Sequence, residues 1–303
     1  MAELISILGP TAAGKTAFSI RLARELKAPV ISADSVQIYR GLDIGSGKVT
    51  EEEMEGVPHY LLDVRNPDED FSAGEYERTA DALLERLFAE HDQVLLVGGA
   101  GFYFQAVWEG FDEMPALKEG VREALNTELE ASGLQPLLDE LQKVDAATWE
   151  VIDRNNHMRV LRALEVWRSS GKPISEFRGR KKAKAKTYRD IKVGIEVERQ
   201  ALYRRIEARV DMMMESGWLA EVEVVSQSCG LGCKGLQSLG YRELVSHLRG
   251  ELELEEAVNL IKQNTRRYAK RQMTWFRRTK DIAWFAPEDE EQMWAHVMGQ
   301  LGK

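Results

Sequence analysis

The stretch Gly9-Pro10-Thr11-Ala12-Ala13-Gly14-Lys15-Thr16 constrains this chain more than any other, because its spacing is that of a P-loop. The apolar run Leu4–Leu8 precedes it and Ala17–Leu26 reads as a helix after it, giving the strand, loop and helix order that the motif requires. Its glycines let backbone N–H groups turn inward around phosphate oxygens, and the N-terminus of the helix favours an anion. Lys15 adds a point charge, and Thr16 can offer its hydroxyl to Mg²⁺. The expected occupant is a di- or triphosphate.

Size and composition set the bounds. At 303 residues, 44% hydrophobic and 30% charged, the chain can bury the core of one large domain or two smaller ones. No apolar run approaches the length of a bilayer span, and no basic leader precedes the first strand. A cytoplasmic chain without membrane association is therefore expected. Cys229 and Cys233 have no further Cys or His set around them, which argues against zinc and for free thiols. The net charge of −9 argues against a polyanionic partner until its distribution is considered. Seven Lys/Arg fall between Arg178 and Arg189 and eight between Lys262 and Lys280, with no acid in either stretch. The acids gather in Glu51–Glu55, Asp63–Asp70, Glu251–Glu256 and Glu288–Glu291. A phosphate backbone meets local patches of this kind, although each patch alone also reads as a solvated face.

Along the chain, Ala28–Ser35 reads as a short strand that ends in Asp34. Open α/β sheets hold ligands beyond the carboxyl ends of their strands, so Asp34 should emerge beside the P-loop. Ile44–Lys48 is a Gly-rich return, Phe71–Glu90 an amphipathic helix, and Gln93–Val97 a third strand running into Gly98-Gly99-Ala100-Gly101. The alternation predicts an α/β fold, a P-loop NTPase-like parallel sheet with helices on both faces. From about Phe111 to Ser175 the strand signals stop, which predicts an all-helical insertion domain. The expected organisation is the first part of the core over 1–110, the insertion over 111–186 and the rest of the core over 187–303. That last part contains a strand over Ile191–Val197, a helix over Arg199–Ser216 and a long basic helix over Glu256–Arg278.

The P-loop suggests an ATP- or GTP-using enzyme, but the strand Val94–Val97 ends in glycine and lacks the acid of a Walker-B strand. Two chemistries remain. A small-molecule kinase would use Asp34 as the base that deprotonates an acceptor. Alternatively, Lys15, Thr16 and Mg²⁺ would neutralise a departing diphosphate while a nucleophile attacks the carbon attached to it. Asp34 also reads as a loop cap or an outer-shell Mg²⁺ partner.

The motifs narrow this. Residues 9–16, then Ser32-Ala33-Asp34-Ser35-Val36-Gln37-Ile38-Tyr39-Arg40-Gly41, resemble the tRNA dimethylallyltransferase (isopentenyltransferase) family. So do Asp43-Ile44-Gly45, Val57-Pro58-His59, Leu96-Val97-Gly98-Gly99, Arg159-Val160-Leu161-Arg162-Ala163-Leu164-Glu165 and Leu239-Gly240-Tyr241-Arg242. Ala269–Arg277 is similar to the closing helix of the family, and the motifs keep their order along nearly the whole chain. The resemblance implies transfer of a dimethylallyl group from dimethylallyl diphosphate to N6 of adenosine 37, in tRNAs that read codons beginning with U. It implies Asp34 as general base, with Lys15, Thr16 and Arg209 on the diphosphate. It also implies Asp34, Ser35, Val36 and Gln37 against a flipped adenine. Contacts to the tRNA anticodon stem-loop are implied for Ala100, Arg122, Met158, Arg159, Val160, Leu161 and Arg162, and for Gln237, Ser238, Leu239, Gly240, Tyr241 and Arg242. The chain is expected to act as a monomer.

Three positions depart from the family pattern. Ala100 stands where the family has Thr after Gly-Gly, Gly45-Ser46-Gly47-Lys48-Val49 replaces Gly-Thr-Ala-Lys-Pro, and Asp153-Arg154 replaces His-Pro. The second change is expected to make that loop more flexible. Other readings compete at single residues: Arg209 as an exposed ion-pair partner, Tyr241 as a core-edge aromatic, Trp275 and Phe276 as packing residues, and His59 as a loop or core histidine. The rival functions are an adenylate isopentenyltransferase acting on free nucleotides and the small-molecule kinase. The helical insertion and the basic C-terminal helix argue against the former, since a free nucleotide needs neither.

Overall fold

A computed structural model describes residues 2–179 and 186–303; residues 180–185, most of the lysine run, lie outside the described residues. The chain divides into two compact units, Met1–Trp108 with Ala185–Lys303, and Glu109–Lys184. No helix among the described residues is long and apolar enough to cross a membrane.

The first unit is built on six strands: β1 (Ala2–Leu8), β2 (Val30–Ala33), β3 (His59–Tyr60), β4 (Gln93–Gly98), β5 (Tyr188–Ile195) and β6 (Ala283–Phe285). All pair in parallel, in the spatial order β3-β2-β4-β1-β5-β6. β1 is central, with Leu8 level with Gly98 on one side and Gly194 on the other. Its side chains alternate between faces. Ile5 and Ile7 pack with Phe18, Leu22, Met293 and Val297 from the helices Lys15–Leu26 and Glu290–Leu301. Ser6 faces the other way and accepts a hydrogen bond from Trp108 Nε1 of the helix Gly101–Trp108 at 3.0 Å. The sheet is therefore covered on both faces, as an all-parallel sheet requires.

Local signals explain the helix limits. Ser72 and Glu75 form a capping box at the start of Ala73–Leu87, and Gly14, at φ 92°, precedes Lys15–Leu26. β3 and β6 carry two and three residues, too few for a periodic signal. The acidic stretch Glu288–Glu291 opens the helix Glu290–Leu301, where the helix dipole favours acids and Arg21 reaches Glu290 at 2.6 Å and Glu291 at 2.8 Å. Cys229 and Cys233, expected as free thiols, are joined as a disulfide with Cα atoms 5.7 Å apart.

The second unit is all-helical among its described residues: Val121–Ser132, Gln135–Val144, Ala146–Val151, His157–Ser170 and a short 3₁₀ turn, Ile174–Phe177. Its core joins Leu125, Leu137, Leu141, Val160, Leu161 and Leu164. Arg168 grips Glu128 with both Nη atoms, at 2.6 and 2.8 Å, and sends Nε to Glu140 at 3.0 Å, tying three helices together. Buried Asp145 accepts from Thr148 N at 3.0 Å and Ser175 N at 3.0 Å, linking the third helix to the 3₁₀ turn.

The tightest approach in the sheet lies at its carboxyl edge. A Cβ added to Gly98 would sit 2.1 Å from the carbonyl oxygen of Ala33, whose position is fixed by the β2–β4 ladder. Gly98→Ala is therefore expected to destabilise the fold by about 1–3 kcal/mol, the usual cost of overpacking. Urea unfolding, with an unchanged m-value, measures it.

Candidate active site

Parallel strands deliver their carboxyl ends to one edge, and the loops that leave β1, β2 and β4 meet there over a cavity of about 300 Å³. Thr11, Ala12, Lys15 and Thr16 come from the P-loop, Asp34–Gln37 from the end of β2, Gly45–Gly47 from the Gly-rich return, and Gly98 and Gly99 from the end of β4. Helices close the other side with Arg209, Met213, Trp218, Tyr268 and Gln272.

Lys15 Nζ donates to the carbonyls of Gly9 at 3.1 Å and Pro10 at 2.7 Å, leaving one of its three N–H groups for the cavity. Burial lowers its pKa to about 8; the Asp34 carboxylate works against that drop and the Arg209 charge adds to it. Burial likewise pulls Arg209 below its ordinary value, with Asp34 and Glu53 opposing. Among the described residues, neither cation makes an ion pair. Arg209 has only the Gly47 carbonyl, at 3.5 Å. The expectation of an exposed, paired arginine on a helix surface does not hold there.

Asp34 Oδ1 accepts from Val36 N at 2.8 Å and Gln37 N at 3.3 Å, an Asx turn that orients the carboxyl group. Oδ2 takes no hydrogen bond among the described residues. The cap reading of Asp34 thus describes one oxygen and leaves the other available to chemistry. Gln37 spends its amide inside the protein: Oε1 accepts from Ser32 Oγ at 3.1 Å, and Nε2 donates to the Gly47 carbonyl at 3.1 Å.

The Gly-rich return is held rather than flexible. Glu221 takes the backbone N–H groups of Asp43, Ile44 and Gly45 at 2.8, 2.6 and 3.1 Å, together with the Tyr241 hydroxyl at 2.7 Å. Lys48 Nζ binds Asp43 at 2.5 Å, Asp63 at 2.6 Å and the Tyr39 carbonyl at 2.9 Å. These contacts pin the loop that lacks the proline.

The positions expected at tRNA sort by exposure. Ser238 and Leu239 line the cavity, while Gln237 and Arg242 are exposed beside them. Tyr241 is instead a core residue, 0% exposed, with its hydroxyl committed to Glu221. Val160 and Leu161 also turn inward, at 0% and 1% exposure, because the apolar stripe of His157–Ser170 forms the core of the helical unit. What that helix presents outward is Met158 and Arg159, with Arg162 part-buried beside them. Buried Glu165 binds Arg162 at 3.1 Å and Arg122 at 3.6 Å, and Arg122 Nη2 reaches the Met158 sulfur at 3.6 Å. Ala100 is half-buried after β4, with its N–H on the Ala33 carbonyl at 3.0 Å. Along Leu254–Phe276 and its end, Lys262, Arg266 and Arg277 pair with Asp211, Glu207 and Glu196. Arg267, Lys270, Arg271 and Arg278 are exposed and make no ion pair among the described residues. Phe276 is buried and Trp275 packs against Gly101 and Phe102, so both are packing residues. His59 lies on β3 with Nδ1 at 2.9 Å from the Val57 carbonyl, and burial lowers its pKa. Sequence patterns missed Glu221, Trp218, Tyr268 and Gln272, whose positions follow from how the helices pack and carry no periodic mark.

This sheet, with a glycine loop and its lysine at the carboxyl edge of the central strand, defines a P-loop α/β protein with a helical insertion. The family model described as IPP transferase matches residues 37–279. The tRNA dimethylallyltransferase of Cytophaga hutchinsonii is 41% identical, over 98% of this chain and 97% of that one. That of Symbiobacterium thermophilum is 44% identical, over 93% and 88%. Among solved structures, a tRNA isopentenylpyrophosphate transferase from Bacillus halodurans superposes with a TM-score of 0.74 at 38% identity, covering 100% and 97% of the two chains. A eukaryotic dimethylallyltransferase acting on tRNA gives a TM-score of 0.81 at 25% identity, covering 99% and 78%. The chain belongs to the IPP transferase family.

The depressed Lys15 pKa generates a pH prediction. A cation whose pKa is about 8 is charged below that pH and neutral above it, whereas bound anion holds it charged. Affinity for inorganic diphosphate, taken relative to Lys15→Arg to cancel the titration of the ligand itself, should be level below pH 8. Above it the ratio should fall about tenfold per unit. Calorimetric titrations across pH check this, and a ratio that stays level above pH 8 removes Lys15 from the anion site.

Proposed function

We propose that this chain transfers the dimethylallyl group of dimethylallyl diphosphate to N6 of adenosine 37 in tRNAs reading codons that begin with U. The observation that carries the reading is the single cavity shared by Lys15, Thr16, Arg209 and Asp34. It holds two half-buried cations that make no ion pair among the described residues, together with a carboxylate that has one oxygen free of hydrogen bonds among them. A diphosphate ester fits the first and an amine nucleophile the second.

In this reading, Lys15, Arg209 and the P-loop amides hold the diphosphate and favour the charge that develops on it as the C1–O bond breaks. The adenine amine forms the new bond to C1. Its surplus proton passes to Asp34, and the bonding electrons of C1–O leave with the diphosphate. Thr16 and Asp34 are hard oxygen donors on the same cavity, and no cluster of three His, Cys, Asp or Glu among the described residues could cage a metal. Mg²⁺ fits such oxygen donors, and the Thr16 hydroxyl would be the protein group that holds it. When bound it supplies further neutralisation of the leaving group. The target base must leave its stack to reach such a site. Arg122, Arg159 and Arg162 of the helical unit and the exposed basic residues of Leu254–Phe276 are assigned to the RNA backbone.

Incubation with dimethylallyl diphosphate, Mg²⁺ and unmodified tRNA should add a dimethylallyl mass to adenosine from tRNA and none to AMP. Modification of AMP would move the assignment to free nucleotides, and ATP consumption without prenyl transfer to the kinases. Asp34→Ala is expected to lower turnover by about 10²- to 10⁴-fold while tRNA affinity stays near that of the parent. Filter binding should show affinity for tRNA falling linearly in log K against log salt. A flat response would remove the backbone contacts.

A further inference from the structure

Gln272 is 7% exposed on the inner face of Leu254–Phe276. Its Oε1 accepts from the backbone N–H of Thr11 at 3.0 Å, and its Nε2 donates to the backbone carbonyl of Gly99 at 2.9 Å. One partner offers only a donor and the other only an acceptor, so a single orientation of the amide satisfies both. The fit leaves no slack: a Cβ on Gly99 would stand 2.3 Å from Nε2. One side chain thus ties the P-loop after β1 to the turn after β4, from a helix more than 170 residues further along than either the β1 or the β4 loop.

We propose that Gln272 is a positioning residue for the diphosphate site. It commits the Thr11 N–H to the protein, as the Pro10 carbonyl commits that of Ala13 at 3.3 Å, so that the amides of Ala12 and of Gly14 onward are left for the anion. It also fixes the Gly99 turn that bounds the same cavity. This rests on the reading of the P-loop as the diphosphate site. Replacing the amide leaves a buried N–H and a buried carbonyl unpaired, and the loop relaxes to satisfy them elsewhere.

The test is calorimetric titration of inorganic diphosphate into the parent, Gln272→Leu and Gln272→Glu, each first checked for cooperative thermal unfolding and tRNA binding. Gln272→Leu, which introduces no charge, should weaken binding about tenfold. The carboxylate of Gln272→Glu can still accept from Thr11 but offers nothing to Gly99. Its protonation restores a donor, and burial raises a carboxyl above its free value of about 4.3, so its deficit should shrink as pH falls from about 7 to about 4. Unchanged diphosphate affinity in either folded variant, or a Gln272→Glu deficit that does not move with pH, overturns the proposal. A parent that binds no diphosphate overturns instead the reading of the P-loop on which it rests.

Discussion

Every strand of this sheet runs in the same direction, and that constraint organises the molecule. A parallel pair needs a crossover, so each chain reversal is long and every carboxyl end falls on one edge. Lys15, Asp34 and Gly99 are thereby brought around one cavity although they leave three different strands. The helices complete the ring, contributing Arg209, Trp218, Tyr268 and Gln272 from the last third of the chain. The helical unit interrupts the chain between β4 and β5, whose ladders to β1 leave the central register unbroken.

Electrostatics give this cavity its character. Asp34 is the only carboxylate among its described lining residues, and it shares the cavity with two cations whose charged forms burial disfavours. Holding Lys15 and Arg209 together costs free energy in a medium that screens poorly, and an anion of two or more charges relieves it. The carboxylates outside the cavity are partnered: Glu221 accepts from three amides and a hydroxyl, and Glu165 pairs with two arginines.

Much of this was legible beforehand, and unevenly. The P-loop, the strand ending in Asp34 and the change to an all-helical stretch announce themselves through spacing and periodicity. Side-chain direction was harder. Val160 and Leu161 belong to a motif but lie on the inward stripe of their helix, and Tyr241 follows a glycine whose turn carries it into the core. The Gly-rich return looks loose because its composition is loose. Its order comes from Glu221 on a distant helix, which no local pattern encodes. Gln272 lies within a recognisable motif, yet its use depends on a pairing across 261 residues.

Trp218 offers a last consequence. Its indole edge is wedged between two glycines, so that a Cβ on Gly45 would fall 1.9 Å from Nε1 and one on Gly240 would fall 2.3 Å from the six-membered ring. Three positions far apart in sequence therefore share one volume. A side chain at either glycine becomes sterically admissible only if the indole shrinks, so substitutions at the three should be strongly non-additive. A smaller residue at 218 relieves Gly45, whereas Gly240, at φ 91°, keeps a backbone that disfavours a side chain whatever fills the space.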